Sequence, residues 1–223
     1  ALSVSGCRPA ETSPENKPYL SIVTSFLPIY IFTANLVEGI DGITLTNLAA
    51  PDIGCPHDYQ LTPGDMAMLE KADIFVYNGA GMESFLGDLA GRQNLVMIEA
   101  SEGISLLELH HEEKEGDEDH EHGGNAHVWL SVRLAISQVR NISMGLQTAD
   151  PENAEKYIAN EAAYVSRLEL LHQQFVTGLA DVAYRQIITF HDAFPYLAAE
   201  YGLEVVAVIQ RDPGSEPSAA ELA

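Results

Sequence analysis

The chain has 223 residues, enough for one large domain or two small ones. Its 33 acidic and 11 basic residues give a formal net charge of −22, which excludes a nucleic-acid-binding surface built on Lys and Arg and is compatible with attraction of cations. An apolar content of 46% supports a real core, and no apolar run approaches the roughly 18 residues of a membrane span.

In chain order, Val4-Ser5-Gly6-Cys7 looks like a bacterial lipobox, in which Cys7 is acylated and becomes the mature N-terminus. The polar, proline-bearing run 8–18 that follows reads as a tether. Cys55 is the only other cysteine, so a thiolate zinc cluster is excluded by count, and a disulfide between the two is weakly indicated. Ordered structure is expected from Tyr19. Residues 20–26 read as a buried strand, 28–37 as a helix stopped at Gly39, and 43–48 as a second strand. A loop over 52–62 carries His57, and Pro63 opens a short helix through 71. A strand at 74–77, a helix at 82–89 and a strand at 95–99 continue an alternation that argues for a parallel sheet covered by helices on both faces.

The run 110–124 breaks this pattern. It is charged, of low complexity and without periodicity, and it reads as a surface loop lacking regular structure. Eight acids and one Lys fall between Glu108 and Glu121, yet outside that stretch 25 acids still face 10 bases, so the folded part is acidic too. His110, His111, His120 and His122 alternate there with Glu and Asp, a pattern suited to weak, multi-site metal capture or simply to a solvated charged loop.

After the loop come the only Trp of the chain, Trp129, and an amphipathic helix over 132–146. Asp150-Pro151-Glu152 then marks a strong helix start. Apolar residues recur at three- and four-residue steps to about Val182, which predicts a helix of ~30 residues and ~45 Å. That length suits a backbone spanning two lobes. A second alternation follows, with a strand at 186–190, a helix at 193–201 and a strand at 204–209. Two strands make a poor independent lobe, so a further C-terminal part is expected.

Three histidines stand at loop boundaries: His57, His127 and His191. In open parallel sheets ligands collect beyond the carboxyl ends of strands, and neutral imidazole nitrogen suits tetrahedral zinc. The separations of 70 and 64 residues match no local finger, so only the fold can assemble such a site. His172, inside the long helix, reads as structural, while Asp192 and, less so, Asp58 are candidates to orient a ligand imidazole.

The motifs around these histidines carry a resemblance. Cys55-Pro56-His57-Asp58-Tyr59, Pro63-Gly64-Asp65, Ala72-Asp73-Ile74 and Tyr77-Asn78-Gly79 resemble the first lobe of the metal-specific solute-binding proteins of bacterial ABC importers, and of its branches the zinc-binding one fits best. Asn125-Ala126-His127-Val128-Trp129-Leu130-Ser131 is similar to the second ligand motif of that branch, and Phe190-His191-Asp192-Ala193-Phe194 with Tyr201-Gly202-Leu203 to the third. Glu216-Pro217-Ser218 matches the loop beyond.

The resemblance implies an α/β fold of two Rossmann-like lobes with parallel sheets joined by a long rigid helix. It divides the chain into a lipoprotein tether (1–18), an N-terminal lobe (19–148) with the acidic His-rich loop (108–124), a linker helix (149–183) and the start of a C-terminal lobe (184–223). It implies Zn2+ held by His57, His127 and His191 in the cleft and delivered to a permease by a monomeric, lipid-anchored extracytoplasmic protein. In some members an acid directly precedes the first His; here Pro56 stands there, so no fourth ligand is named. Manganese-binding members tend to carry Glu where this chain has His191. Two other functions stay open at this point, a zinc-dependent hydrolase and a surface adhesin. The chain lacks an H-E-x-x-H and a nucleophile elbow, which weighs against the hydrolase.

Overall fold

The strand β1 (Leu20–Thr24) lies inside a four-stranded sheet, and the computed structural model describes the chain from there, over residues 20–49, 57, 59–89, 94–108 and 124–210. β1 pairs on one side with β2 (Ile43–Asn47) and on the other with β3 (Ile74–Tyr77), which pairs with β4 (Val96–Glu99). The order is β2-β1-β3-β4 and every pair is parallel. Ile22, Val23, Phe75 and Val76 are fully buried, as expected of apolar, β-branched strands covered on both faces.

Parallel neighbours need crossovers. α1 (Leu27–Val37) links β1 to β2, with Pro28 in its first turn, where a missing N–H costs nothing. α2 (Pro63–Leu69) follows β2 and starts at a capping box: Thr62 Oγ1 accepts from the Asp65 N–H, and the Asp65 carboxylate accepts from the Thr62 N–H. Between β3 and β4 the predicted helix is instead a short 3-10 helix, Ser84–Leu89, which Gly87 does little to extend. The chain leaves β1 toward β2 and returns on the far side of β1 to β3. Loops beyond β1 and β3 therefore diverge, and the crevice between them is where an α/β sheet receives ligands.

α3 (Val132–Ala149) is capped by Ser131, whose Oγ accepts from the Leu134 N–H. The predicted 30-residue helix is shorter, because Pro151–Asn153 forms a separate 3-10 turn before α4 (Ala154–Gly178). At 25 residues α4 is ~38 Å long. It does not simply bridge. Tyr157, Tyr164, Val165 and Leu168 sink into the same apolar core as β1, α1 and α3, while Phe175 at the far end stacks on Tyr201 with ring centroids 5.0 Å apart.

Tyr201 closes α5 (Pro195–Tyr201), which lies between β5 (Gln186–His191) and β6 (Glu204–Gln210). These two strands form a second, parallel sheet with a register shift at Ile187/Ile188. Its Ile188, Phe190 and Val206 are exposed. A smaller cluster of Val23, Leu48, Leu69, Ala72, Phe75 and Phe85 fills the opposite face of the first sheet, under α2. Among the described residues no helix is long and apolar enough to cross a membrane.

Candidate metal centre

The site is built from the crevice side of the first sheet upward. Asn78, directly after β3, is fully buried and donates from Nδ2 to the main-chain carbonyl of Ala126 at 3.1 Å. Its Oδ1 accepts from Gln138 Nε2 of α3 at 2.8 Å. The backbone just before His127 is thus tied to a strand end and to a helix. The N–H groups of Asn78 and Gly79 donate to the carboxylate of buried Glu83, at 2.7 and 3.0 Å. Burial pushes the Glu83 carboxyl above its usual range, opposed by those hydrogen bonds. Gly79 has φ +78°, and a Cβ there would overlap the Glu99 side chain, so this turn needs glycine.

His127 caps the 3-10 helix Val128–Leu130 and is buried. Its ring lies 5.1 Å from that of Trp129, which in turn meets Phe26 edge-on at 4.9 Å, directly beyond β1. His57 lies between β2 and α2 in the chain. Its ring centroid is 5.4 Å from that of His127, and its main-chain carbonyl accepts from Ser84 Oγ. His191 is the last residue of β5 rather than the first of a loop. Its ring centroid is 5.0 Å from that of His127, and the two Nε2 atoms are 3.1 Å apart. Burial, then the nearby His191 and His57, lower the pKa of His127 to about 3, so its imidazole is neutral at physiological pH.

The fold thus brings the three imidazoles to one place from three separate parts of the chain. Two nitrogens of a tetrahedral zinc lie ~3.3 Å apart when each bond is ~2.05 Å. The 3.1 Å between His127 and His191 is close to that edge. Among the described residues, however, no group of three or more His, Cys, Asp or Glu has its donors already placed to hold an ion.

The remaining candidates lie elsewhere. His172 is buried on α4, 2.8 Å from a Glu200 carboxylate oxygen and 3.3 Å from Arg133, so it belongs to a polar seam between α3, α4 and α5. Asp192 contributes its main-chain carbonyl, which accepts from Asn125 Nδ2 at 3.0 Å. Cys7, Cys55, Asp58, His110, His111, His120, His122 and the 216–218 motif fall outside the described residues. Two further residues stand against the site: Asn125, within the motif around His127, and Tyr196, which no motif marks. Tyr196 donates from its hydroxyl to the carbonyl of Asn125 at 2.6 Å and accepts from the Leu107 N–H at 2.9 Å.

A parallel sheet with a histidine site at its switch point, tied by one long helix to a second parallel sheet, defines a metal-type solute-binding architecture. The profile of the family described as "Zinc-uptake complex component A periplasmic" matches residues 22–223, and the chain belongs to that family. It is 38% identical over 211 residues to the high-affinity zinc uptake system protein ZnuA of Bacillus subtilis, a match covering 92% of this chain and 65% of that protein. It is 36% identical over 212 residues to the zinc-binding lipoprotein AdcA of Streptococcus pneumoniae, covering 92% of this chain and 42% of that one. The crystal structure of the Zn(II)-bound ZnuA-like domain of that AdcA superposes with a TM-score of 0.75 at 33% identity, over 92% of this chain and 72% of the domain. The chain therefore spans about two thirds or less of the length of these two curated relatives.

Proposed function

We propose that this chain is the capture component of a bacterial zinc importer. It takes Zn2+ outside the cytoplasm through His57, His127 and His191 and hands it to a membrane permease. The observation that carries this reading is the pair of Nε2 atoms of His127 and His191, 3.1 Å apart and supplied by different parts of the fold, with His57 against the same ring. Membership of a zinc-uptake family and the likeness to a Zn(II)-bound domain support it. Zinc here is cargo, and binding with release is the whole activity; no turnover is required of it.

Closure of the two lobes on the ion completes the site, and opening lets the ion go. Residues 1–18 serve as a tether with Cys7 as its lipid attachment, which holds a monomeric protein at the outer side of the membrane beside its permease. Residues 19–148 form the first lobe, 149–183 the linker and 184–223 the start of the second. His110, His111, His120 and His122 supply weak auxiliary zinc sites that raise the local concentration of the ion.

The experiment is elemental analysis and zinc calorimetry of the full-length protein, purified without added metal. About one tightly held zinc per chain is expected, absent from His127→Ala. A wild-type protein that neither retains zinc nor binds it in the calorimeter overturns the assignment.

A further inference from the structure

Asn125 is buried beside His127 and uses both ends of its amide. Oδ1 accepts the main-chain N–H of His127 at 2.9 Å and faces its Nδ1 at 3.0 Å. Nδ2 donates to the main-chain carbonyl of Asp192 at 3.0 Å, one residue beyond His191. These two main-chain partners fix which end is which, because a peptide N–H only donates and a carbonyl only accepts. The atom facing Nδ1 is therefore an oxygen, so Nδ1 carries the proton of the neutral ring and Nε2 carries the lone pair. That lone pair faces His191 Nε2, 3.1 Å away. Asn125 is anchored in turn: its carbonyl accepts from Tyr196, and its N–H donates to the Leu107 carbonyl at 2.8 Å.

We propose that Asn125 is a positioning residue of the metal site, one amide that sets the tautomer of His127 and ties the His191 turn to it. The inference rests on the zinc reading above and assigns this site a further residue that touches no metal. When a divalent cation enters between the rings, the His127 lone pair is ready for it without any proton movement. His191 coordinates through the same Nε2 that faces His127. An alanine at 125 leaves His127 free to place its proton on either nitrogen, and the two sides of the site lose their direct hydrogen bond.

The test reads tautomers by long-range proton–nitrogen correlation in the full-length, metal-free protein, and zinc affinity by calorimetry. In wild type, His127 is expected as the Nδ1–H form. Asn125→Ala should show mixed tautomers and bind zinc roughly 10- to 100-fold more weakly, the usual cost of losing a group that orients a metal ligand. Asn125→Asp keeps an acceptor toward Nδ1 and should keep the tautomer. Asn141→Ala is the structural control. It removes a buried-side amide that donates to the Ala100 and Glu102 carbonyls, away from the histidines, and should leave tautomer and affinity unchanged. An Asn125→Ala protein with the wild-type tautomer and affinity within about two-fold overturns the proposal, as does an equal loss in Asn141→Ala. If Asn125→Ala does not fold, Asn125→Asp decides: a retained tautomer supports the role and a switched one overturns it. Because the tautomer is read without metal, a wild-type protein that fails to bind zinc sinks the proposed function while Asn125 is still judged on its own.

Discussion

Trp129 stands between two rings that report on different things: His127 at 5.1 Å, in the candidate site, and Phe26 at 4.9 Å, at the end of β1. As the only tryptophan of the chain, it is a built-in probe of the candidate metal centre. Zinc at His127 Nε2 changes the charge and the rotational freedom of the adjacent imidazole, so tryptophan emission should change in a saturable way on zinc addition. His127→Ala should abolish the change while leaving far-UV circular dichroism intact. Emission that ignores zinc in a protein shown by calorimetry to bind it would place the ion away from this histidine.

The residues on either side of 109–123 are joined to each other and to α5. The Asn125 N–H donates to the Leu107 carbonyl, and the Tyr196 hydroxyl joins the Leu107 N–H to the Asn125 carbonyl. Gly124 fits there because a Cβ would press into Leu106. Removing residues 110–123 and rejoining the ends with a short Gly-Ser link should therefore leave the tight zinc site intact and remove only weak binding events in calorimetry. Disappearance of the tight event would show that the loop donates a primary ligand.

Stability should depend on Asp65 in a pH-specific way. Burial alone would raise its pKa, but hydrogen bonds from the Thr62 N–H and hydroxyl and from the Tyr59 hydroxyl outweigh that and hold it below its ordinary value of 3.8. The folded state thus favours the ionised form. Its stabilisation is fully present above pH 3.8 and is lost as pH falls through the still lower folded value. Asp65→Asn should cost about 1–2 kcal/mol at neutral pH, the scale of a lost helix cap with its partner hydrogen bonds. Urea unfolding of the two proteins should give stabilities that converge as pH falls below ~3.8. A gap that stays constant down to acid conditions would mean that the carboxylate charge is not what holds this corner.

Much of this fold is legible in the sequence because its strands are short apolar runs bounded by turn residues. Ile22, Val23, Ile74 and Val76 lie where β-branched residues predict strands. The helix boundaries were harder to read. Pro151 suits a first helical turn, yet the chain makes a 3-10 turn before α4 begins at Ala154. The histidines could be picked out by their motifs, since each lies where an element starts or ends. Tyr196 could not, and Asn125 stands in the motif around His127 without its hydrogen-bond partners being legible. Their partners at Asn125 and Asp192 are 71 and 67 residues away in sequence, and no local period marks such contacts. The lowering of the His127 pKa was equally invisible, since it comes from burial and from the two other imidazoles that the fold brings near it.

Metal choice follows from the donor set. A donor set of three imidazoles, were it His57, His127 and His191, suits zinc, which accepts four-coordination without strain, whereas manganese prefers six ligands with more oxygen. His127 is fixed and buried, and His57 and His191 crowd its ring at 5.4 and 5.0 Å, which leaves little room for several added waters. The intrinsic affinity order also places zinc well above manganese, while copper and nickel can bind such a site as tightly, so no selectivity over them is expected. Competition calorimetry on the full-length protein should therefore give zinc a large preference over manganese. His191→Glu should narrow that preference by trading a nitrogen for a harder, charged oxygen at the end of β5, chiefly by weakening zinc. Comparable wild-type affinity for the two ions would defeat the three-imidazole assignment. A His191→Glu protein with its zinc preference unchanged would remove His191 from the ligand set and leave His57 and His127 to find another partner.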